Sequence, residues 1–189
     1  MGDNMIALFK SDRTKAFCAG IFIILAYGML IRELSESKIM VLISDVLSGI
    51  FVIGIAGLLF PYFKTKYKWL SIAYLTLKLA EGIIMIAGGI IFTYNPGLRD
   101  WFYESIHLYT FIISALILYV LLYQTRMVPR FISIWGMIAI FFLVLSTLLK
   151  LLGLNYSALD AFMLLIITNE IFLAIWLMIK GFNLKELRN

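Results

Sequence analysis

The sequence predicts an all-α fold: a polytopic integral membrane protein whose six transmembrane helices form an up-and-down bundle, with both termini in the cytoplasm. Three observations predict it. Of 189 residues, 63% are hydrophobic and only 14% charged, a balance that excludes a soluble globule. Mean hydropathy is +1.00, and the apolar residues fall into six continuous runs of roughly 16 to 26 residues, where about 20 span a hydrocarbon core as helix. The connections are short, about six to nine residues each, which makes sequential helices antiparallel neighbours and leaves no room for a soluble domain.

The runs cover residues 16–31, 39–60, 69–94, 105–124, 131–149 and 158–179, within one membrane domain over residues 1–189. Strands in lipid would alternate polar and apolar residues over about 10 positions, so a barrel does not fit these runs. The first run follows Lys10, Arg13 and Lys15 and ends at Arg32 without a small-residue cleavage site. It is therefore read as helix one rather than as a signal peptide. The second and third contain Gly49, Gly54, Gly57, Gly82, Gly88 and Gly89, expected to bring helices close together rather than to form a flexible gate. Pro61 and Pro129 each open a connection, in P-Y-F-K-T-K-Y-K-W and P-R-F-I-S-I-W. These read as helix stops followed by interfacial anchors, with a weak hairpin duplication as the alternative. Trp135 and Trp176 read as packing and belt residues.

Basic residues set the orientation. Lys10, Arg13, Lys15, Lys64, Lys66, Lys68, Arg126, Arg130, Lys180, Lys185 and Arg188 lie on one side of the six runs. Arg32, Lys38, Arg99 and Lys150 lie on the other, and Lys78 lies inside the third run. The positive-inside rule then places both termini in the cytoplasm. The net charge of +5 comes from these spread topogenic residues, which meet anionic headgroups; no basic patch with a stacking platform points to nucleic acid.

One Cys, Cys18, and one His, His107, cannot form an internal disulfide or a His-rich or Cys-rich metal cage, and no cofactor or metal is expected. No nucleophile elbow, H-E-x-x-H or glycine-rich phosphate loop occurs. The ionisable residues inside the runs are the sharper signal, because a charge near the bilayer centre costs about 2.5 to 3.5 kcal/mol. Lys78 and Glu81 are three positions apart, so they share a helix face and can pair, with Tyr74 one turn before the lysine. At about 1.5 Å per residue, Lys78 lies roughly 13 Å deep, Glu81 roughly 18 Å and Glu170 roughly 15 Å from the same side. Thr168 and Asn169 precede Glu170. The three charges are expected to meet, leaving a surplus carboxylate to bind a cation or hold a proton. Asp45, His107 and Asp160 lie toward the opposite face, where lining an access path is one reading of them. For His107 and Asp160, within about a turn of the interface, the favoured reading is that they are simply wet.

The stretches V-P-R-F-I-S-I-W-G (128–136) and N-E-I-F-L-A-I-W-L-M-I-K-G-F (169–182) resemble a family of small bacterial multi-pass proteins, domain of unknown function forty-three eighty-six. S-D-V at 44–46 and L-K-L-A-E at 77–81 are also similar to that family, with Lys78 where an arginine is usual. The departure keeps the charge and loses the planar fork. The resemblance extends from about helix one to Phe182. It implies a polytopic plasma-membrane protein of prokaryotic type with no assigned activity, and it marks Asp45, Lys78, Glu81, Glu170 and Lys180.

The resulting expectation is a non-enzymatic membrane protein. Its Asp45, Tyr74, Lys78, Glu81, His107, Asn169 and Glu170 would bind a small ligand, cation or proton, in transport or sensing. The alternative is a scaffold or accessory subunit that uses the charges for helix docking, with Lys78 and Glu81 as a structural ion pair. A lipid-modifying enzyme using Glu81, Glu170 or Asp45 as acid or base is the third reading. Membrane lipids are the expected partners, with a homo-oligomer or a second membrane protein beside them.

Overall fold

The computed structural model describes residues 2–154, 159 and 161–184. Among them the secondary structure is entirely helical. Six helical segments are long and apolar enough to cross a membrane: Ser11–Glu33, Lys38–Lys64, Lys68–Tyr94, Pro96–Thr125, Arg130–Leu151 and Ala161–Ile179. The chain is therefore a multi-pass membrane protein. Asp160, Lys185 and Arg188, and most of the connection around Asn155, lie outside the described residues.

The helices are α1 (Gly2–Ala26), continued by a 3-10 helix (Tyr27–Glu33); α2 (Lys38–Lys64); α3 (Lys68–Tyr94); α4 (Pro96–Phe102), continued by a π-helical turn (Tyr103–His107) into α5 (Leu108–Thr125); α6 (Arg130–Leu151); and α7 (Ala161–Ile179). Two expectations are corrected. Pro61 does not stop α2, which runs on to Lys64; near a helix end proline deletes one hydrogen bond while the residues after it still donate backward. The expected loop of about nine residues around Arg99 is instead helix. Asn95 alone separates α3 from α4: its side chain accepts a hydrogen bond from the Leu98 amide at 3.1 Å, and Pro96 follows at the first helical position. Asn at the N-cap and Pro at N1 are a helix start, so Asn-Pro-Gly begins the fourth span rather than filling a loop.

Two glycines end helices by taking up positive φ. Gly153, at φ 85°, sits just past α6, with Leu154 donating to the Leu149 carbonyl and Gly153 to that of Lys150. Gly181, at φ 74°, donates to Leu177 past the end of α7. These are the two left-handed C-cap arrangements that satisfy otherwise orphaned carbonyls.

The chain divides into two compact units, one of residues 21–114, the other of residues 1–20 and 115–189. In the first, α2 and α3 cross at glycine. A Cβ on Gly49 would lie 2.5 Å from the Gly82 carbonyl oxygen, and one on Gly82 would lie 2.6 Å from that of Gly49. Gly89 faces the Asp45 side chain, Gly88 the Tyr103 ring, and Gly54 the Phe22 ring. At these positions glycine serves close packing. Lys38 reaches across to donate to the Thr93 carbonyl at 2.7 Å, and Phe63 meets Tyr74 edge-on at 5.9 Å.

In the second unit α6 packs on α7. Phe131 contacts Phe172 and Trp176, Trp135 contacts Phe172, and the Asn169 amide donates to the Ile132 carbonyl at 3.1 Å. The Tyr119 ring lies against Gly136, and Gly20 against the Ala174 backbone. Arg13 donates to the Met178 and Ile179 carbonyls at 2.9 and 2.6 Å, supplying donors that the end of α7 lacks.

Candidate functional site

The ionisable cluster in residues 21–114 is built on three helices. On α3, the three-residue spacing brings the Lys78 ammonium to both Glu81 carboxylate oxygens at 3.0 Å each. Glu81 Oε2 also accepts from the Ser114 hydroxyl at 2.6 Å, so the carboxylate is held from α3 and α5 together. The ammonium stands 5.4 Å from the centre of the Phe111 ring, within cation–π range. Glu81 is 2% and Lys78 5% exposed, so this pair is shielded on all sides. Tyr74, fully buried one turn before Lys78, packs on Phe63.

A second pair lies nearer the end of the unit where α3 meets α4. Asp45 accepts from Arg99 Nε at 3.0 Å and Nη2 at 2.9 Å, a two-pronged contact in which each carboxylate oxygen has its own donor. The Arg99 guanidinium also donates to Asp100 at 3.2 Å and to the Met29 carbonyl at 3.3 Å, and lies 4.0 Å from the centre of the Tyr103 ring. Asp100 in turn accepts from Arg32 at 3.1 Å. Sequence reading placed Arg99 among the solvent-facing topogenic residues; it is instead buried, because the helix starting at Pro96 turns it inward onto Asp45. Two signals pointed to it: the Asn-Pro helix start, and Asp45 itself, too deep to be left without a cation.

His107 falls between the two pairs. The reading of His107 as wet near the interface is corrected: the residue is only 6% exposed. With the fourth span beginning at Pro96 rather than near Ser105, His107 lies roughly 16 Å along the helix instead of within its first turn. Its ring is flanked by Tyr103 at 4.9 Å and by Phe111, near-parallel, at 6.4 Å. Its Nε2 is buried and has no hydrogen-bond partner among the described residues.

Residues 99, 103, 107 and 111 are spaced by four. In a regular α-helix that spacing drifts ~40° around the axis at each step. The wider π turn over Tyr103–His107 unwinds the helix and offsets part of the drift. Arg99, Tyr103, His107 and Phe111 thus form a continuous stack joining the Asp45 pair to the Lys78 pair. Sequence periodicity alone gives no sign of a π turn.

The remaining expected site residues belong to the other unit. Asn169 is buried on α7 and clamps it to α6; its Oδ1 has no hydrogen-bond partner among the described residues. Glu170 is half-buried on α7. Both belong to the unit of residues 1–20 and 115–189, and within residues 21–114 the Lys78 ammonium is matched one to one by Glu81.

The stretch that begins beside Arg99 and ends at the Gly181 cap is also where a known family is found. Residues 97–181 match the family described as Domain of unknown function (DUF4386). The family resemblance expected from the sequence is thus shown for that stretch, just under half of the chain. It includes Arg99, Tyr103, His107 and Ser114 of the cluster, whereas Asp45, Lys78 and Glu81 precede it. No curated protein and no solved structure matches the chain. The two stretches from which the sequence resemblance was read, 128–136 and 169–182, meet across α6 and α7 through Phe131, Ile132, Trp135, Asn169, Phe172 and Trp176.

Proposed function

We propose that this multi-pass membrane protein uses the buried ionisable residues of its 21–114 unit as a polar site for a small ligand, cation or proton, in transport or in sensing. One observation carries the reading: Asp45, Lys78, Glu81, Arg99 and His107 are all buried within helices long and apolar enough to cross a membrane. Each charge near the centre of a bilayer costs about 2.5 to 3.5 kcal/mol, and close helix packing through Gly49 and Gly82 requires none of them. We place the protein in a plasma membrane of prokaryotic type with both termini cytoplasmic. With Arg99 committed to Asp45, the basic residues opposite the larger group reduce to Arg32, Lys38 and Lys150, which strengthens the bias.

A specific observation favours a second reading. The Lys78–Glu81 pair is closed and capped by Ser114, as a pair that only docks helices would be. The two readings separate in the doubly substituted Lys78→Met/Glu81→Leu protein. Replacing a buried pair by apolar residues of similar volume is often neutral in stability. The site reading expects this variant to fold but to lose the response of the wild type, measured in liposomes as proton or cation flux and as cation-dependent shifts in Tm. If the wild type shows no such response, or the variant keeps all of it, the scaffold reading takes its place.

A further inference from the structure

Every buried side-chain nitrogen and oxygen of the Asp45–Arg99 and Lys78–Glu81 pairs has a hydrogen-bond partner, but the histidine between them has a ring nitrogen without one among the described residues. A buried imidazole nitrogen without a partner carries the desolvation penalty of an unmade hydrogen bond, and a replacement of similar shape, such as phenylalanine, would avoid it. Tyr103 lies against the His107 ring, and Glu81 and Lys78 from α3 and Arg99 from its own span are within electrostatic reach of it; Arg99 is in turn held by Asp45 of α2 and by Asp100. Lys78 is matched by Glu81 and Arg99 by Asp45, with Asp100 shared between Arg99 and Arg32, so the surroundings offer no net charge to hold a bound anion or metal cation. A neutral imidazole with a free lone pair suits the smallest ligand of all.

Resting on the reading of this cluster as a polar site, we propose that its ligand is the proton and that His107 Nε2 is the atom that takes it up. The donor is a hydronium ion arriving from the Asp45–Arg99 end: an N–H bond forms at Nε2, an O–H bond of hydronium breaks, and water is released. The imidazolium then lies within electrostatic reach of the Glu81 carboxylate. Its positive charge competes with the Lys78 ammonium for that carboxylate. Proton uptake at one residue thereby loosens a contact spanning α3 and α5, since Glu81 also holds Ser114. Tyr103 and Phe111 hold the ring in line between the two pairs.

The chain contains a single histidine, so labelling with ¹⁵N-histidine isolates this one ring. The whole protein in lipid nanodiscs is titrated from about pH 8 to about pH 5 and observed by nitrogen NMR. The expected result is a change from the neutral to the imidazolium pattern of ring shifts, with the midpoint displaced to lower pH by at least one unit in Glu81→Gln, where the stabilising anion is gone. A ring that stays neutral throughout in folded wild-type protein overturns the proposal, and no variant is needed for that outcome. Titration unaffected by either Glu81→Gln or Glu81→Asp overturns the coupling to Glu81. A neutral ring combined with wild-type flux that depends on the Lys78–Glu81 pair would sink the proton assignment while leaving the polar site standing. Glu81-dependent titration in liposomes without flux would support His107 as a proton sensor and end the transport reading.

Discussion

Asp45 and Arg99 stand 54 positions apart in the chain, yet each makes the other's burial tolerable. Asp45 is fully buried, so its carboxylate with nothing opposite it would be an uncompensated buried charge. The two contacts of Arg99 to Asp45, one from Nε and one from Nη2, need a planar guanidinium, which lysine cannot supply. Arg99→Ala is expected to lower stability by about 3 to 5 kcal/mol, and Arg99→Lys to recover only part of the loss. Asp45→Leu combined with Arg99→Leu should restore most of it. Equilibrium unfolding in detergent micelles reads these values, and an Arg99→Ala protein as stable as wild type would show that the pair carries no weight. The Lys78–Glu81 contact belongs to the same scale but was open to sequence reading, because three positions on one helix fix the distance between two side chains whatever the rest of the chain does.

At the scale of helices, the α2–α3 crossing depends on two residues that lack side chains. A methyl group on Gly82 would meet the Gly49 carbonyl oxygen at 2.6 Å; the obstacle is backbone, which moves only if the helices part. Gly82→Ala should therefore cost about 1 to 3 kcal/mol. Gly57, in the same helix as Gly49, has nothing within 4 Å of the position of a Cβ. There, Gly57→Ala should gain about 0.4 to 1 kcal/mol by restricting the unfolded chain. Thermal unfolding of the two variants side by side tests whether glycine here is a matter of contact or of composition; equal effects would reject the contact. The π turn at Tyr103–His107 acts at this scale too. It holds the aromatic and basic residues of the fourth span in one line, which an uninterrupted α-helix would turn away step by step.

For the molecule as a whole, the distribution of lysine and arginine outside the six spans is the quantity that sets orientation. Lys64, Lys66, Arg126 and Arg130 are each exposed at or just beyond a helix end, and under the proposed orientation the positive-inside bias would hold those ends in the cytoplasm. A reporter active only in the cytoplasm, fused after Asn189, is expected to be active, and one active only outside it to be silent. The reverse pattern would invert every depth assigned to the cluster without altering its internal geometry.

Six spans, the helical class and the Lys78–Glu81 pair were legible in the sequence, because run length, hydropathy and helical spacing are local properties that the surrounding fold does not change. The start of the fourth span was written in Asn95 and Pro96 as well, and polar character around Arg99 obscured it. What only the tertiary structure decided are the partners supplied by other segments: Arg99 for Asp45, Ser114 for Glu81, Ile132 for Asn169, and the Tyr103 and Phe111 rings around His107. The reason is physical. In a chain this apolar, nearly every helix face is hydrophobic, so the pattern along one helix does not say which face meets a neighbour; the glycine crossing of α2 and α3 and the π turn of the fourth span choose it.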